Sequence, residues 1–322
     1  MNRPTKWTRE QIAEVYHQEL LELVFQAAQT HRAHHDSKEI QVCTLQSIRT
    51  GGCAEDCGYC SQSVHHEANV ERQKMMDIDK VLELAREAKA GGSTRFCMGA
   101  SGRQVKDDED FEKVLTMVKG VSGMGLEVCC TLGMLEEPQA QRLKEAGLYA
   151  YNHNLDTGKE YYSKVVSTRS YGERLDTIET VGKAGISLCC GGILGMGEAV
   201  EDRLDMLATL ASLTPPPESV PINALVPIEG TPMQEQQRIE IWDLVRMIAT
   251  TRIVIPTAMV RLSAGRESLS ELEQAFCFLA GANSIFSGEK LLTTPGAGRA
   301  ADLALFDRLN LKPRAPYKGE KL

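Results

Sequence analysis

The amino-acid sequence predicts a (β/α)8 TIM barrel preceded by an N-terminal helical extension. Short apolar runs that are typical of buried strands alternate with amphipathic, helix-like segments along most of the chain. The length of 322 residues fits one large α/β barrel or two smaller domains. The composition, 42% hydrophobic and 25% charged, is that of an ordinary globular protein.

The elements follow one another in a regular order. A helical segment over residues 8–33 opens the chain, and Thr8 with Gln11 has the spacing of a capping box. Candidate strands lie at 40–48, 95–99, 126–131, 149–154, 186–193, 219–226, 259–263 and 283–286. Helical periodicity lies between them at 77–90, 108–121, 136–146, 170–184, 199–212, 235–252 and 268–279.

No shift in composition marks a domain boundary. We therefore expect one domain over residues 1–322, with the N-terminal extension reaching about residue 38 and a C-terminal tail over about 295–322. The net charge of −8, without a lysine or arginine run, argues against nucleic acid or an acidic membrane as a partner. No apolar stretch is long enough to span a membrane, and the N-terminus lacks the apolar core of a secretory signal. We therefore expect a cytoplasmic location.

The cysteine usage indicates metal binding. Ten cysteines in a chain of this length do not suggest the disulfide framework of a small secreted domain. Cys53, Cys57 and Cys60 lie in one loop, C-A-E-D-C-G-Y-C. A [4Fe–4S] cubane normally takes four thiolates, so three would leave one iron open to a small molecule. An open coordination position is typical of a reactive centre.

The spacing of the loop distinguishes between metal sites. C-x3-C-x2-C is neither the ferredoxin run nor the paired C-x2-C of structural zinc. Zinc with a histidine at 65–66 as fourth ligand is the less favoured alternative. Tyr59 stands before the third cysteine and completes the signature C-x3-C-aromatic-C. At this loop the sequence resembles the radical S-adenosylmethionine (SAM) enzymes.

Three further cysteines are predicted to point into the barrel lumen from three strands. Side chains alternate between the faces of a strand, and the apolar face of a barrel strand meets the helices. In the doublets Cys129/Cys130 and Cys189/Cys190, the first cysteine shares its face with polar neighbours. Cys129 and Cys189 are therefore assigned to the lumen, and Cys97 faces inward by the same argument.

Three inward thiols could hold a second, smaller iron–sulfur cluster. A [2Fe–2S] cluster needs four ligands, and the residues alone leave the fourth open. Arg261 is also predicted to face inward, but a protonated arginine is a poor ligand on general chemistry. The alternative is that the three thiols are simply small core residues.

Taken together, the motifs resemble the biotin synthase family over nearly the whole chain. They are G-G-C-A-E-D-C-G-Y-C-S-Q, S-T-R-F-C-M-G-A, E-V-C-C-T-L-G-M-L, Y-N-H-N-L-D-T, G-G-I-L-G-M-G-E, V-P-I-N-A-L and V-R-L-S-A-G-R-E, in family order. The cysteine loop alone indicates only a radical SAM enzyme. The strand cysteines together with V-R-L-S-A-G-R-E narrow the resemblance to this family.

The resemblance implies a homodimer of TIM barrels with two clusters. The [4Fe–4S] cluster, whose open iron binds SAM, would be held by Cys53, Cys57 and Cys60. The [2Fe–2S] cluster would be held by Cys97, Cys129, Cys189 and Arg261. The second cysteines of the doublets, Cys130 and Cys190, are not in the family's ligand set. Cys43, on the first strand, would lie near the inner cluster or be a packed thiol.

The resemblance also implies contacts to SAM and substrate. SAM would be contacted by Asn154, Asp156, Arg174, Gly191, Gly192 and Gly195. The carboxylate of Asp156 suits ribose hydroxyls, Arg174 suits the SAM carboxylate, and the glycines would permit close approach to adenine. The ureido ring of the substrate would be bound by Asn152, Asn154 and Asn223, since one amide supplies both a donor and an acceptor.

The implied reaction converts dethiobiotin to biotin, with sulfur from the [2Fe–2S] cluster and electrons from a donor such as flavodoxin. No catalytic side chain beyond the cluster ligands is expected. Two alternatives stay open: another radical SAM barrel of the hydrogenase-maturation or mutase type, and a non-catalytic iron–sulfur protein. Arg261 with the three inner cysteines argues against the first, and cleavage of SAM would exclude the second.

Overall fold

A closed ring of parallel strands forms the centre of the computed structural model, which describes residues 7–317. The strands are β1 Glu39–Arg49, β2 Arg95–Ala100, β3 Glu127–Thr131, β4 Ala150–Asn152, β5 Ser187–Cys189, β6 Gly192–Leu194, β7 Ser219–Ala224, β8 Met259–Leu262 and β9 Ser284–Phe286. They pair in the order β1-β2-β3-β4-β5-β7-β8-β9, and β9 pairs back with β1. β5 and β6 both pair with β7 and so fill one position, which gives the eightfold barrel that the sequence predicts.

Helices surround the ring and precede it. They are α1 Arg9–Tyr16, α2 Leu20–His34, α3 Ile78–Ala90, α4 Glu109–Gly123, α5 Glu137–Glu145, α6 Lys159–Val165, α7 Tyr171–Lys183, α8 Val200–Ser212, α9 Ile241–Val254, α10 Glu271–Leu279 and α11 Arg299–Leu309. A short strand, β10 Lys312–Pro313, then pairs with the start of β1. The fold is therefore the predicted TIM barrel with a helical extension.

The N-terminal extension begins with the predicted capping box. The amide of Gln11 donates to Thr8 Oγ1 at 3.3 Å, and the amide of Thr8 donates to Gln11 Oε1 at 3.0 Å. These bonds satisfy amides that the first turn of a helix leaves without partners. The predicted single helical segment is two helices, and α2 packs its buried face on α9.

Strand alternation divides the buried residues into two groups, as the sequence predicts. An outer core between strands and helices contains Cys130, Cys190 and Cys277. A separate inner group consists of Cys43, Cys97, Cys129, Ala150 and Cys189. The first cysteine of each doublet therefore lies in the lumen and the second lies outside the ring.

Three predicted elements differ from the structure. The single strand predicted at 186–193 is interrupted, because both backbone groups of Gly191 leave the ladder and bond the loop after β4. The helix predicted from residue 235 begins at Ile241. The predicted tail contains a full helix, α11, and a further short helix, α6, has no counterpart in the predicted elements.

Candidate functional site

The loop that follows β1 carries the three closely spaced cysteines. Its backbone is folded on itself, since the Cys60 amide donates to the Cys57 carbonyl and the Cys53 amide donates to the Gln62 carbonyl, both at 2.9 Å. Asp56 fastens the loop to the segment before α7 by accepting the amides of residues 167–168 at 2.9 and 3.1 Å. The loop is therefore held at the carboxyl end of the barrel, where TIM barrels bind ligands.

Two thiols of this loop, those of Cys57 and Cys60, are kept protonated by burial. Burial raises the pKa of Cys57 to about 12 and that of Cys60 to about 11. Metal binding must then displace a proton from each thiol. Within residues 7–317, no three His, Cys, Asp or Glu side chains converge closely enough to share one ion. A cubane does not require such convergence, because its thiolates bind different irons. The donor set therefore fits a cluster better than zinc.

The inner thiols lie deeper in the barrel. Cys97 and Cys129 are direct partners across β2 and β3. Cys189 Sγ accepts from Asn152 Nδ2 at 3.4 Å and from Arg261 Nη1 at 3.5 Å. All three cysteines are at most 4% exposed. The structure thus brings together the four residues that the resemblance assigns to the inner cluster.

The electrostatics of the inner group favour a thiolate. Cys189 accepts a hydrogen bond from Cys129 and lies near the Arg261 guanidinium, and both interactions hold the pKa of Cys189 well below its ordinary value. The same hydrogen bond raises the pKa of its donor, Cys129. Arg95 Nη1 is buried and has no hydrogen-bond partner among the described residues. Two buried guanidinium groups beside these thiols suit an anionic, thiolate-rich group. The donor set therefore fits a [2Fe–2S] cluster.

One cavity of about 350 Å³ connects the two sets of thiols. Cys60 lines it at the loop end, and Cys97, Cys129 and Arg261 line it at the inner end. Residues 291–294, which follow β9, also line it. A small molecule in this cavity would contact both ends, which is the central geometric feature of the site.

The three predicted asparagines line the cavity, and each already makes hydrogen bonds within the protein. Asn152 donates to Asn154 Oδ1 at 3.0 Å and accepts from Thr131 at 3.2 Å. Asn223 donates to the Gly192 carbonyl at 2.9 Å and accepts from the Ala264 amide at 3.2 Å. Each side-chain amide is thereby fixed in orientation, while its remaining donor and acceptor capacity can serve a ligand.

Asp156 and Arg174 form a buried ion pair beside the cysteine loop. Asp156 also accepts from the Tyr59 hydroxyl at 2.9 Å, and its φ of 69° is unusual for a residue with a side chain. Arg174 further donates to the Asn154 carbonyl at 2.6 Å and to Tyr162 at 2.7 Å. The structure therefore shows Arg174 as the partner of Asp156 and leaves two of its five N–H groups for a ligand.

The glycines at the β5–β6 break have a different structural reason from the predicted one. A Cβ at Gly191 would lie 2.0 Å from the Pro221 carbonyl oxygen, and one at Gly192 would lie 2.1 Å from Met206 Sδ. At both positions other protein atoms occupy the space that any side chain would need. Gly195 has a φ of 92°, so its backbone conformation explains the glycine there.

Sequence reasoning did not identify one buried neighbour of the loop, Arg169. Arg169 is 7% exposed, and its Nε has no hydrogen-bond partner among the described residues. Together with Tyr59 it lines a smaller cavity of about 170 Å³ that also borders Cys53, Cys60 and Arg174. An arginine in the S-T-R-S stretch before a helix gives no sign in the sequence of this placement.

Within residues 7–317, no helix is long and apolar enough to cross a bilayer.

Family models match two adjoining parts of the chain. Residues 47–210 match the radical SAM superfamily, and residues 221–312 match the Biotin and Thiamin Synthesis associated domain. Solved structures agree on the fold: methylornithine synthase superposes with a TM-score of 0.79 at 17% identity, covering 96% of this chain and 94% of the other. A maturase of the [FeFe]-hydrogenase superposes with a TM-score of 0.81 at 15% identity, covering 96% and 72%. The chain is thus a member of the radical SAM superfamily.

Curated relatives define the family within this class. Biotin synthase of Cytophaga hutchinsonii is 59% identical over 97% of this chain and 93% of its own length. Biotin synthase of Gloeobacter violaceus is 58% identical over 97% and 98%. The mitochondrial biotin synthase of Arabidopsis thaliana is 56% identical over 98% and 83%. The chain belongs to the biotin synthase family.

Proposed function

We propose that this chain catalyses the sulfur insertion that converts dethiobiotin to biotin. As a member of its family it is a radical SAM enzyme with SAM, a [4Fe–4S] cluster and a [2Fe–2S] cluster as cofactors. The observation that carries the proposal is the single cavity of about 350 Å³ that links the loop thiols to the inner thiols. A substrate between them can be activated from one end and receive sulfur at the other.

The residues would divide between the two centres as follows. Cys53, Cys57 and Cys60 would hold the [4Fe–4S] cluster. Cys97, Cys129, Cys189 and Arg261 would hold the [2Fe–2S] cluster. When bound, these groups and SAM supply the radical chemistry and the sulfur, which side chains cannot provide. Arg261 as a ligand is supported by its 3.5 Å contact to Cys189 Sγ and by complete burial.

The protein's own contribution is binding, orientation and exclusion of water. We assign the ureido ring of dethiobiotin to Asn152, Asn154 and Asn223, whose amides line the cavity. The carboxylate of Asp156, oriented by Arg174, would accept the ribose hydroxyls of SAM.

The rest of the cavity protects the chemistry. Apolar side chains, among them Leu45, Ile193 and Phe286, line much of it. Residues 291–294 also line it. Such a lining keeps water away from reactive species and holds the substrate in one orientation.

The remaining organisation is also part of the proposal. Residues 1–322 would form one domain, because both matched segments contribute strands to the same closed barrel. A homodimer is supported by adjacent helices α2, α9 and α10, which expose Leu21, Phe25, Trp242, Leu272 and Leu279. Sedimentation of the reconstituted protein would test this state. An electron donor such as flavodoxin and a cytoplasmic location complete the proposal.

The proposal is tested by separating SAM cleavage from sulfur insertion. Cys53→Ala should abolish reductive cleavage of SAM, whereas Cys189→Ala should retain part of that cleavage and form no biotin. Cys277→Ala, in the outer core, is the matched control and should retain both activities. Equal loss of both activities in Cys53→Ala and Cys189→Ala would contradict the assignment of two centres.

A further inference from the structure

The end of the barrel opposite the cysteine loop is covered by residues 314–317, which we call the C-terminal strap. Arg314 Nη2 and the Tyr317 amide both donate to Glu127 Oε1, at 2.6 and 3.0 Å. The Arg314 amide also donates to the Ile40 carbonyl at 2.8 Å. The strap is thus attached to β1 and β3 at their amino ends, two residues before the inner Cys129.

Two stacked aromatic rings form part of the cover over the inner thiols at this end. Tyr317 is 38% exposed and stacks on Tyr149, with ring centroids 6.1 Å apart and planes at 19°. Tyr149 in turn packs against the group that contains Cys43, Cys97 and Cys129. Displacement of Tyr317 would therefore expose more of Tyr149, the ring that packs directly on these thiols.

A chain of hydrogen bonds runs from the strap to the inner site. Glu127, which the strap contacts, accepts from Gln41 Nε2 at 3.1 Å. Gln41 Oε1 in turn accepts from Arg261 Nη2 at 3.3 Å. Arg95 also donates to Glu127, at 2.9 Å. The position of the strap is therefore coupled to both buried arginines beside the thiols.

Among residues 7–317, the strap is not packed on all sides. A cavity of about 310 Å³ lies beside residues 314–317 and is bordered by His35, Asp36, Glu39 and Asn283. A segment with space on one side and a few specific bonds on the other can open locally at a small fraction of the cost of global unfolding.

We propose that the C-terminal strap is an openable seal on the amino end of the barrel. Its opening admits ferric iron and sulfide to the inner thiols without passage through the substrate cavity. Two ferric ions and two sulfide ions form a [2Fe–2S] centre on thiolates without any change of oxidation state, and the thiol protons are released. This extends the proposed function, because a centre that gives up sulfur must be supplied with it again. The route matters most for Cys43 and Cys189, since the substrate cavity reaches Cys97 and Cys129 directly.

The seal is tested by alkylating the full-length, cluster-free chain with N-ethylmaleimide and following each cysteine by peptide mass spectrometry. Tyr317→Ala should raise the labelling rates of Cys43 and Cys189 by roughly tenfold, because labelling tracks the open population. Tyr317→Phe retains the ring and should label like the parent. The partly exposed Cys53 and the outer-core Cys277 serve as internal references.

A second pair of variants tests the charged contact. Arg314→Ala should act like Tyr317→Ala, whereas Arg308→Ala removes an exposed ion pair with Glu271 on α10 and should change nothing. Unchanged labelling of Cys43 and Cys189 in folded Tyr317→Ala would overturn the seal. A parallel rise at Cys277 would do so as well, since it would indicate general loosening.

Reloading with ferric chloride and sodium sulfide tests the route itself. Visible absorbance of the inner cluster should develop faster in Tyr317→Ala than in Tyr317→Phe. Faster labelling without faster reloading would overturn the route. Iron content matching the loop cluster alone in the parent protein would instead contradict the proposed function, and the labelling result would still decide whether the strap is a seal.

Discussion

Replacing Glu127 by glutamine is predicted to destabilise the protein strongly. The carboxylate of Glu127 accepts from Arg95 Nε and Arg314 Nη2, which are charged, and from Gln41 and the Tyr317 amide. Glu127 is 3% exposed, so water cannot replace these hydrogen-bond partners. With about 1.5–3 kcal/mol for each charge-assisted bond, loss of the charge should cost about 3–5 kcal/mol.

The assay is urea unfolding of the cluster-free chain, with Glu271→Gln as the matched control. Glu271 pairs with Arg308 on the surface, and its side chain is 48% exposed, so its replacement should cost about 1 kcal/mol or less. Equal midpoints for Glu127→Gln and the parent protein would refute the claim that this buried carboxylate organises the amino end of the barrel.

The pH dependence gives an independent check on the same residue. Burial acts to raise the pKa of Glu127, but Arg95 and Arg314 outweigh it and hold the pKa below its ordinary value of 4.5. A depressed folded-state pKa contributes stability above 4.5 that is lost as the pH falls through the folded value. The parent protein should therefore lose stability in that acidic range more steeply than Glu127→Gln, as urea midpoints measured against pH would show.

Two further predictions concern the site. Gly191→Ala places a methyl group 2.0 Å from a backbone carbonyl oxygen of β7, so it should lower the free energy of unfolding in urea by about 1–3 kcal/mol. Gly182→Ala, where nothing lies within 4 Å of the added methyl group, should raise it by about 0.5–1 kcal/mol. A reversed order of the two stabilities would contradict this account of the β5–β6 break. Asp156→Asn removes the charge beside Tyr59 and should weaken SAM binding by roughly tenfold in equilibrium dialysis of the reconstituted protein, whereas the exposed Asp176→Asn should not; equal affinities would remove Asp156 from the SAM site.

The alternation of side chains along strands explains why much of the site was predictable. Cys129 and Cys189 were chosen over their neighbours because polar residues share their face, and that face is the lumen in the structure. The Thr8 capping box was predictable for a similar reason, since its bonds join residues three positions apart. Local chemistry with a fixed period or spacing is visible in the sequence.

Contacts between distant segments were not predictable in the same way. Arg174 has a local pattern of an exposed helical residue, yet it is buried against Asp156 and Asn154. The strap contact between Glu127 and Tyr317 joins residues far apart in the chain. Neither pairing has a periodic signature, because each depends on how the barrel closes. The interruption at Gly191 also depends on a neighbouring loop that competes for its backbone groups.

The depth of the central cavity has a consequence for the order of events. Asn223, Cys97 and Cys129 lie on barrel strands, whereas Asp156 and Cys60 lie on loops at the carboxyl rim, and all five border the same space. A molecule bound at the deeper level must have arrived before one bound near the rim, and it can depart only afterwards. Under the proposed assignment, dethiobiotin would be trapped for as long as a nucleoside occupies the rim. An intermediate with only one of its two C–S bonds would then have little opportunity to leave before the second bond forms.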